Sequence, residues 1–196
     1  MAPVEALRRA GGGATVAQLD TVDLNGLRTV LAVDGVRMGR SCKPAWYHVE
    51  LAVLPNGTAG WVPARAIHVY QVRSRIVVSL TQRRLRVYRS GTVVLETTVG
   101  IGAPSTPTPT GRFYVNERYV LSSSDGPFGP AALGISAHST VLAQSWTENG
   151  PIALHGTNEP WSIGQADSHG CVHVPNDVMR RLFVLAPAGT PVVIRG

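Results

Sequence analysis

Twenty-one glycines and fourteen prolines, scattered through short apolar runs, leave this 196-residue chain little room for long helices. Proline removes a backbone donor and glycine weakens any regular element, so the texture is one of strands and turns. At this length a folded chain buries roughly 70% of the surface its unfolded form exposes, so no disulfide framework or structural metal is needed. Two cysteines, Cys42 and Cys171, agree with that. With 44% hydrophobic and 15% charged residues the composition is globular and excludes disorder over most of the length; it also excludes a coiled coil.

The net charge is +6, with Lys43 the single lysine among eighteen basic residues, which favours anionic surroundings such as wall polymers, nucleic acid or lipid headgroups. Arg73, Arg75, Arg83, Arg84, Arg86 and Arg89 fall in one stretch, interleaved with Ile76, Val78, Leu80, Leu85 and Val87. That interleaving reads as the solvated face of two half-buried strands, and no nucleic-acid motif accompanies it. No stretch approaches the roughly 18 apolar residues of a membrane span. Residues 1–10 carry Glu5, Arg8 and Arg9 where a secretory signal would need an apolar core, so the chain reads as cytoplasmic or as a form whose leader has been removed.

Three regions follow in order. Residues 1–20, with Gly11-Gly12-Gly13, read as a flexible arm. Residues 21–70 contain Arg28 to Val33, Trp46 to Leu54, the turn Pro55-Asn56-Gly57, and Gly60-Trp61-Val62-Pro63. Asn-Gly between apolar runs is a hairpin signal, so this region reads as a small β-barrel or sheet, with Trp46 and Trp61 in its core. Its Leu-Pro-Asn-Gly and Gly-Trp-Val-Pro phrases resemble a bacterial SH3-like domain. Residues 71–196 read as a mainly β domain with one convincing helix. Strands are expected at Arg75 to Leu80, on either side of Ser90-Gly91, at Arg112 to Val115 and at Thr190 to Ile194. Pro104, Pro107 and Pro109 place the intervening segment in an extended surface loop. Residues 121–150 read as a long connection, a candidate lid. The helix starts with Asn176 as N-cap and Asp177 in its first turn, shares Val178, Leu182 and Leu185 on one face, and stops at Pro187 and Gly189.

Chemistry concentrates in Ile152-Ala153-Leu154-His155-Gly156-Thr157 and Ser168-His169-Gly170-Cys171-Val172-His173. Cys42, with no histidine or glycine adjacent, reads as a small buried hydrophobe. Cys171 does not. Gly170 permits close backbone approach, and His155 and His169 offer a base or a cation that lowers a thiol pKa from about 8.5 into the reactive range. A thiolate nucleophile there would serve covalent acyl transfer. His155, His169, His173 and Cys171 are also zinc-ligand types, but Gly170, Val172, Val174 and Pro175 argue against the helix that would align His169 with His173, and no paired-cysteine motif is present. No metal or cofactor is expected. Asp167 is a weaker candidate for orienting a histidine.

Residues 71–196 resemble the YkuD-type L,D-transpeptidase catalytic domain of bacterial cell-wall synthesis. The resemblance rests on Pro-Thr-Pro-Thr-Gly-Arg-Phe at 107–113, Gly-Pro-Phe-Gly-Pro at 126–130, His155-Gly156, and Ser168-His169-Gly170-Cys171. It implies a mainly β fold, a mixed sheet with one or two short helices. It further implies that Cys171 attacks a peptidoglycan stem peptide, His155 takes the thiol proton, and His169 supports the site. Ser168 and Gly170 would shape the turn beside Gly156, and backbone N–H groups near Cys171 would bind the oxyanion. An amine of a second stem peptide would resolve the thioester. Donor and acceptor stem peptides are therefore the implied partners, anionic wall polymers a further one, and the compartment extracytoplasmic. The family usually carries asparagine or arginine two positions after the cysteine, where this chain has His173; a role in anchoring substrate and simple packing beside the helix start weigh equally. Trp161 and Phe128 are candidates to line the peptide groove, whereas Trp146 reads as ordinary partial burial. Two other readings stay open: an L,D-carboxypeptidase or other cysteine hydrolase using the same residues, and an inert wall-binding protein.

Overall fold

The computed structural model describes residues 3–23, 25–142 and 150–196. The chain divides into two compact units, Met1–Gln71 and Val72–Gly196.

The first unit is a five-stranded sheet in the order β2-β1-β5-β4-β3, formed by β1 (Val4–Arg9), β2 (Gly12–Leu19), β3 (Ala32–Met38), β4 (Pro44–Glu50) and β5 (Ala59–Pro63). Residues 1–20 are thus not a flexible arm: β1 and β2 pair antiparallel from Val4↔Leu19 to Arg9↔Gly12. Gly11 supplies the positive φ of 86° that the tight turn needs, so the glycine run marks a hairpin. The strand expected from Trp46 to Leu54 ends at Glu50, and the β4–β5 pair joins Glu50 to Ala59 across the Asn56-Gly57 turn. The run Arg28 to Val33 contributes only its last two residues to β3. Ala6, Val49, Leu51 and Val62 form the small core. Trp46 and Trp61 are only partly buried, Trp61 lying with its ring 5.0 Å from that of His48. Cys42, expected inside, is exposed in the β3–β4 turn with φ of 54°.

The second unit is built on an eight-stranded mixed sheet in the order β14-β12-β11-β10-β15-β6-β7-β8. Its strands are β6 (Ser74–Ser79), β7 (Arg84–Arg89), β8 (Thr92–Thr98), β10 (Gly111–Val120), β11 (Ala131–His138), β12 (Pro151–His155), β14 (Val172–His173) and β15 (Pro191–Arg195). The short β9 (Ile101–Gly102) and β13 (Ala166–Ser168) pair separately in parallel. The hairpin at Ser90-Gly91 joins β7 and β8. On β7, Leu85 and Val87 point inward while Arg84 and Arg86 point outward and share Glu96, at 3.6 and 3.1 Å. That is the alternation a half-buried strand requires.

Residues 121–150 are not one long connection. Ala-Ala-Leu-Gly-Ile-Ser-Ala-His forms β11 between β10 and β12, almost wholly buried. Burial on both faces removes the alternation by which a strand is recognised, and the small residues mimic a loop. Trp146 lies outside the described residues.

The one α-helix among the described residues, α1 (Asn176–Leu185), packs on β11. Met179 and Leu182 are fully buried, and Val178 and Leu185 flank them. Pro175, not Asn176, occupies the N-cap position, and no side chain caps the helix. Leu133 on β11 has no exposed surface, whereas Val184 on the helix is 79% exposed. Leu133→Ala should therefore cost about 2–5 kcal/mol in urea unfolding, and Val184→Ala less than about 0.5 kcal/mol.

Candidate active site

The site is assembled by a short parallel pairing. β12 and β14 align Leu154 with Val172 and His155 with His173. Side chains two apart on a strand share a face, so Cys171, immediately before β14, lies on the same side as His173 and therefore as His155. The His155 and His173 rings lie 4.9 Å apart, tilted by 54°. The backbone of His173 is bridged in both directions to Gly100, at 2.9 and 3.0 Å, and Val174 N–H donates to the carbonyl of His155 at 2.8 Å.

The Ser168–Cys171 turn is closed internally. Ser168 is buried; its Oγ donates to the Cys171 carbonyl at 2.6 Å and accepts from Gly170 N–H at 3.2 Å. Gly170 has φ of 109°, a conformation L-residues rarely adopt, and an added Cβ would lie 3.1 Å from Ile152 Cδ1. The proline loop holds this turn from outside: Ala103 N–H and Thr106 Oγ1 both donate to the Ser168 carbonyl at 2.9 Å, and the buried Thr108 accepts from Gly102 N–H at 2.9 Å. The loop is thus partly an inner brace, not only a surface segment.

His155 is buried, and its Nδ1 lies 2.5 Å from the Gly156 carbonyl oxygen. A carbonyl can only accept, so Nδ1 carries the proton and Nε2 keeps its lone pair. The position that an orienting carboxylate such as Asp167 would take is therefore filled by a peptide oxygen. Burial lowers the His155 pKa to about 4, with the Gly156 hydrogen bond raising it and the His173 charge lowering it. Burial also pushes the Cys171 thiol up, opposed by a hydrogen bond with the Ala153 backbone. Burial thus acts on the Cys171 thiol and the His155 imidazole in one sense, disfavouring the charged form of each, whereas a histidine cation would act on the thiol in the opposite direction.

The remaining residues surround this pair. Phe128, 50% exposed, sets its ring edge on His155 with 4.9 Å between centroids and 73° between planes. His173 Nδ1 lies 2.7 Å from the Oγ of Ser162, a fully buried residue whose part in the site no sequence signal announced. Burial lowers the His173 pKa, with Asp167 and Glu159 raising it and His169 lowering it. His169 is exposed, and so is Trp161, at 67%, in a short 3₁₀ turn (Pro160–Ser162). A cleft of about 880 Å³ opens beside Thr157, walled by Ser124, Asp125, Asn158, Ile163 and Asp177; Cys171 and His155 are not among its lining residues. Among the described residues no group of three or more His, Cys, Asp or Glu side chains is arranged to hold a metal ion, and no helix is long and apolar enough to cross a membrane.

Two solved structures share the fold: an Ldtfm-avibactam carbamoyl enzyme, 20% identical with a TM-score of 0.50 over 98% of this chain and 94% of the other, and an L,D-transpeptidase from Mycobacterium smegmatis, 15% identical with a TM-score of 0.50 over 86% and 100%. YkuD of Bacillus licheniformis, assigned as an L,D-transpeptidase, is 35% identical over 120 residues, 61% of this chain and 64% of its own length. L,D-transpeptidase 1 of Mycobacterium tuberculosis is 30% identical over 136 residues, 61% of this chain and 49% of its own. The matches thus span half to two thirds of these relatives. Residues 73–194 match the family model of the L,D-transpeptidase catalytic domain, which covers more than half of the sequence, and the chain belongs to the YkuD family of L,D-transpeptidases.

Proposed function

We propose that this chain cross-links peptidoglycan stem peptides through a thioester on Cys171. The observation that carries the reading is the tautomer of His155: with Nδ1–H donated to the Gly156 carbonyl, Nε2 is left to accept a proton on the face that Cys171 shares. The thiol proton passes to Nε2 as Sγ bonds to the donor carbonyl. That proton then goes to the amine of the departing D-amino acid as the tetrahedral intermediate collapses to the thioester. An acceptor amine attacks the thioester and gives up a proton to Nε2; as the second tetrahedral intermediate collapses and the C–S bond breaks, the imidazolium returns that proton to the departing sulfur and the neutral imidazole is regenerated. Because Gly170 N–H is committed to Ser168 Oγ, the N–H of Cys171 itself is the oxyanion donor in this reading.

Phe128 and Trp161, large and exposed, are read as walls of the peptide groove, with His173 and the exposed His169 at its polar side. The first unit is read as an SH3-like module, supported by its small sheet, and the net charge of +6 on the chain as a whole suits anionic wall polymers. The substrate class favours a place outside the cytoplasmic membrane. Cell fractionation that finds the active protein there supports this; a functional pool confined to the cytosol contradicts it.

Incubation with a purified disaccharide tetrapeptide separates the outcomes. A joined dimer of stem peptides identifies transfer, a trimmed monomer identifies an L,D-carboxypeptidase, and no reaction together with no carbapenem adduct on Cys171 identifies an inert binder. Cys171→Ala should abolish acylation at every pH. His155→Ala should slow it by roughly 100-fold to 10,000-fold, with partial recovery only above the ordinary thiol range, since burial already holds the Cys171 pKa up. A rate profile of His155→Ala that stays flat to high pH would falsify the base assignment.

Protonation also links the site to stability. The folded His155 pKa of about 4 lies below the ordinary 6.5, so the unfolded chain takes up this proton first as pH falls. Stability is complete above pH 6.5 and declines toward pH 4, by about 3 kcal/mol from this group. Urea unfolding of the wild type and His155→Gln across that window should show the steeper acid loss in the wild type.

A further inference from the structure

The peptide unit between Gly156 and Thr157 is gripped at both ends. Its carbonyl oxygen accepts from His155 Nδ1, and its N–H, the Thr157 N–H, donates to Asn176 Oδ1 at 2.8 Å. A trans peptide is planar with its C=O and N–H pointing opposite ways, so one rotation of this plane breaks both hydrogen bonds. Glycine on one side makes the plane easy to turn. The grip of Asn176 is reinforced by packing: a Cβ added at Gly156 or at Gly129 would run into its Oδ1, so both glycines leave room for the amide to approach the backbone.

The other end of the same amide holds the segment that leads to Phe128. Asn176 Nδ2 donates to the Ser124 carbonyl at 3.2 Å, and the segment that follows Ser124 carries Phe128 onto His155. One side chain therefore ties down the loop that orients Nδ1 and the loop that covers the ring. Asn176 is free for this because it is the first residue of α1 and makes no capping hydrogen bond to the helix, Pro175 standing at the N-cap.

We propose that Asn176 is a positioning residue for acyl transfer: its side-chain amide fixes the Gly156–Thr157 peptide plane, and that plane fixes the tautomer and orientation of His155. The proposal rests on the reading of His155 as the proton acceptor for Cys171. The carbonyl of Gly156 does more than orient. Accepting the Nδ1 proton, it stabilises the imidazolium that forms when the thiol proton is taken, and the hydrogen bond that the same peptide makes to Asn176 polarises it further. The other groups facing His155 are His173 across the β12–β14 pair, Cys171 on the same face, and the uncharged Phe128.

The test uses the whole chain, a carbapenem as acylating probe followed by mass spectrometry from pH 3 to 9, so that the acid limb set by His155 falls inside the range, and the imidazole 15N chemical shifts of His155 without any probe. Asn176→Ala should slow acylation by roughly tenfold to 100-fold, the scale of a 1 Å misplacement. It should also convert the single Nδ1–H tautomer into a mixture and move the acid limb of the rate profile to lower pH. Asn176→Asp keeps an acceptor for Thr157 N–H while giving up the donation to Ser124; it should restore most of the rate and the Nδ1–H tautomer and move the acid limb to higher pH. Arg180→Ala removes only an exposed donor to Ser124 Oγ and should leave the rate unchanged. Wild-type tautomer and rate in Asn176→Ala overturn the proposal. If Asn176→Ala does not fold, an Asn176→Asp variant that folds but has lost the Nδ1–H tautomer overturns it equally. A wild-type chain that takes no acyl group overturns the acyl-transfer reading instead, and the 15N shifts alone then decide the link between Asn176 and His155.

Discussion

Everything at the centre of the second unit depends on two residues of β14 pairing in parallel with the end of β12. That pairing is short, and a two-residue ladder holds little by itself. It is secured from its flanks, by the double bridge between Gly100 and His173 and by the bond from Val174 N–H to the His155 carbonyl. Slipping the register by one residue would send Cys171 to the opposite face from His155, because strand side chains alternate. The braces around Ser168 guard that register. The Ser168 carbonyl takes two donors from the proline loop, and Ser168 Oγ closes the turn onto the Cys171 carbonyl.

The same burial that makes the site rigid sets its protonation. Removing His155 from water disfavours its cation, and removing the Cys171 sulfur from water disfavours its anion. In the proposed acyl transfer, charge separates between the two groups only as the reacting carbonyl arrives. The peptide oxygen of Gly156 is the local dipole that lessens the cost of that separation. A backbone carbonyl orients a histidine without adding a full negative charge, which would raise the imidazole pKa well above its present position and fill Nε2 with a proton at neutral pH.

Much of the second unit was legible. The Val- and Leu-rich alternation of β6, β7 and β8, the turn at Ser90-Gly91, the helix between Pro175 and Pro187, and the paired His155 and Cys171 segments each carry their own local signal. The failures have physical causes. The hairpin β1–β2 looked like an arm because a glycine run reads equally as linker or as tight turn until a partner strand exists; here β5 supplies it, with Leu7 opposite Trp61. β11 looked like connection because burial on both faces erases the polar half of the strand pattern. Trp46 and Trp61, expected in the core of the first region, stay partly buried, and the small core is built from Ala6, Val49, Leu51 and Val62 instead.

The residue types and their order determined the chemistry: a cysteine in a Ser-His-Gly-Cys turn, a histidine followed by glycine upstream, and strand-forming runs on either side. The tertiary structure decided which atoms that chemistry uses. It selected the Gly156 carbonyl over Asp167 as the partner of His155 Nδ1, gave His173 a bond to Ser162, and turned Asn176 from an expected helix cap into a clamp on the Thr157 N–H. A hydrogen bond depends on distance and direction in space, and the amide of Asn176 and the peptide it grips lie 19 residues apart in the chain, brought together only by the packing of Gly129 against Gly156 beneath the start of α1. Protonation was likewise beyond the sequence, because it follows from how much water each group loses, and that is a property of the folded surroundings alone.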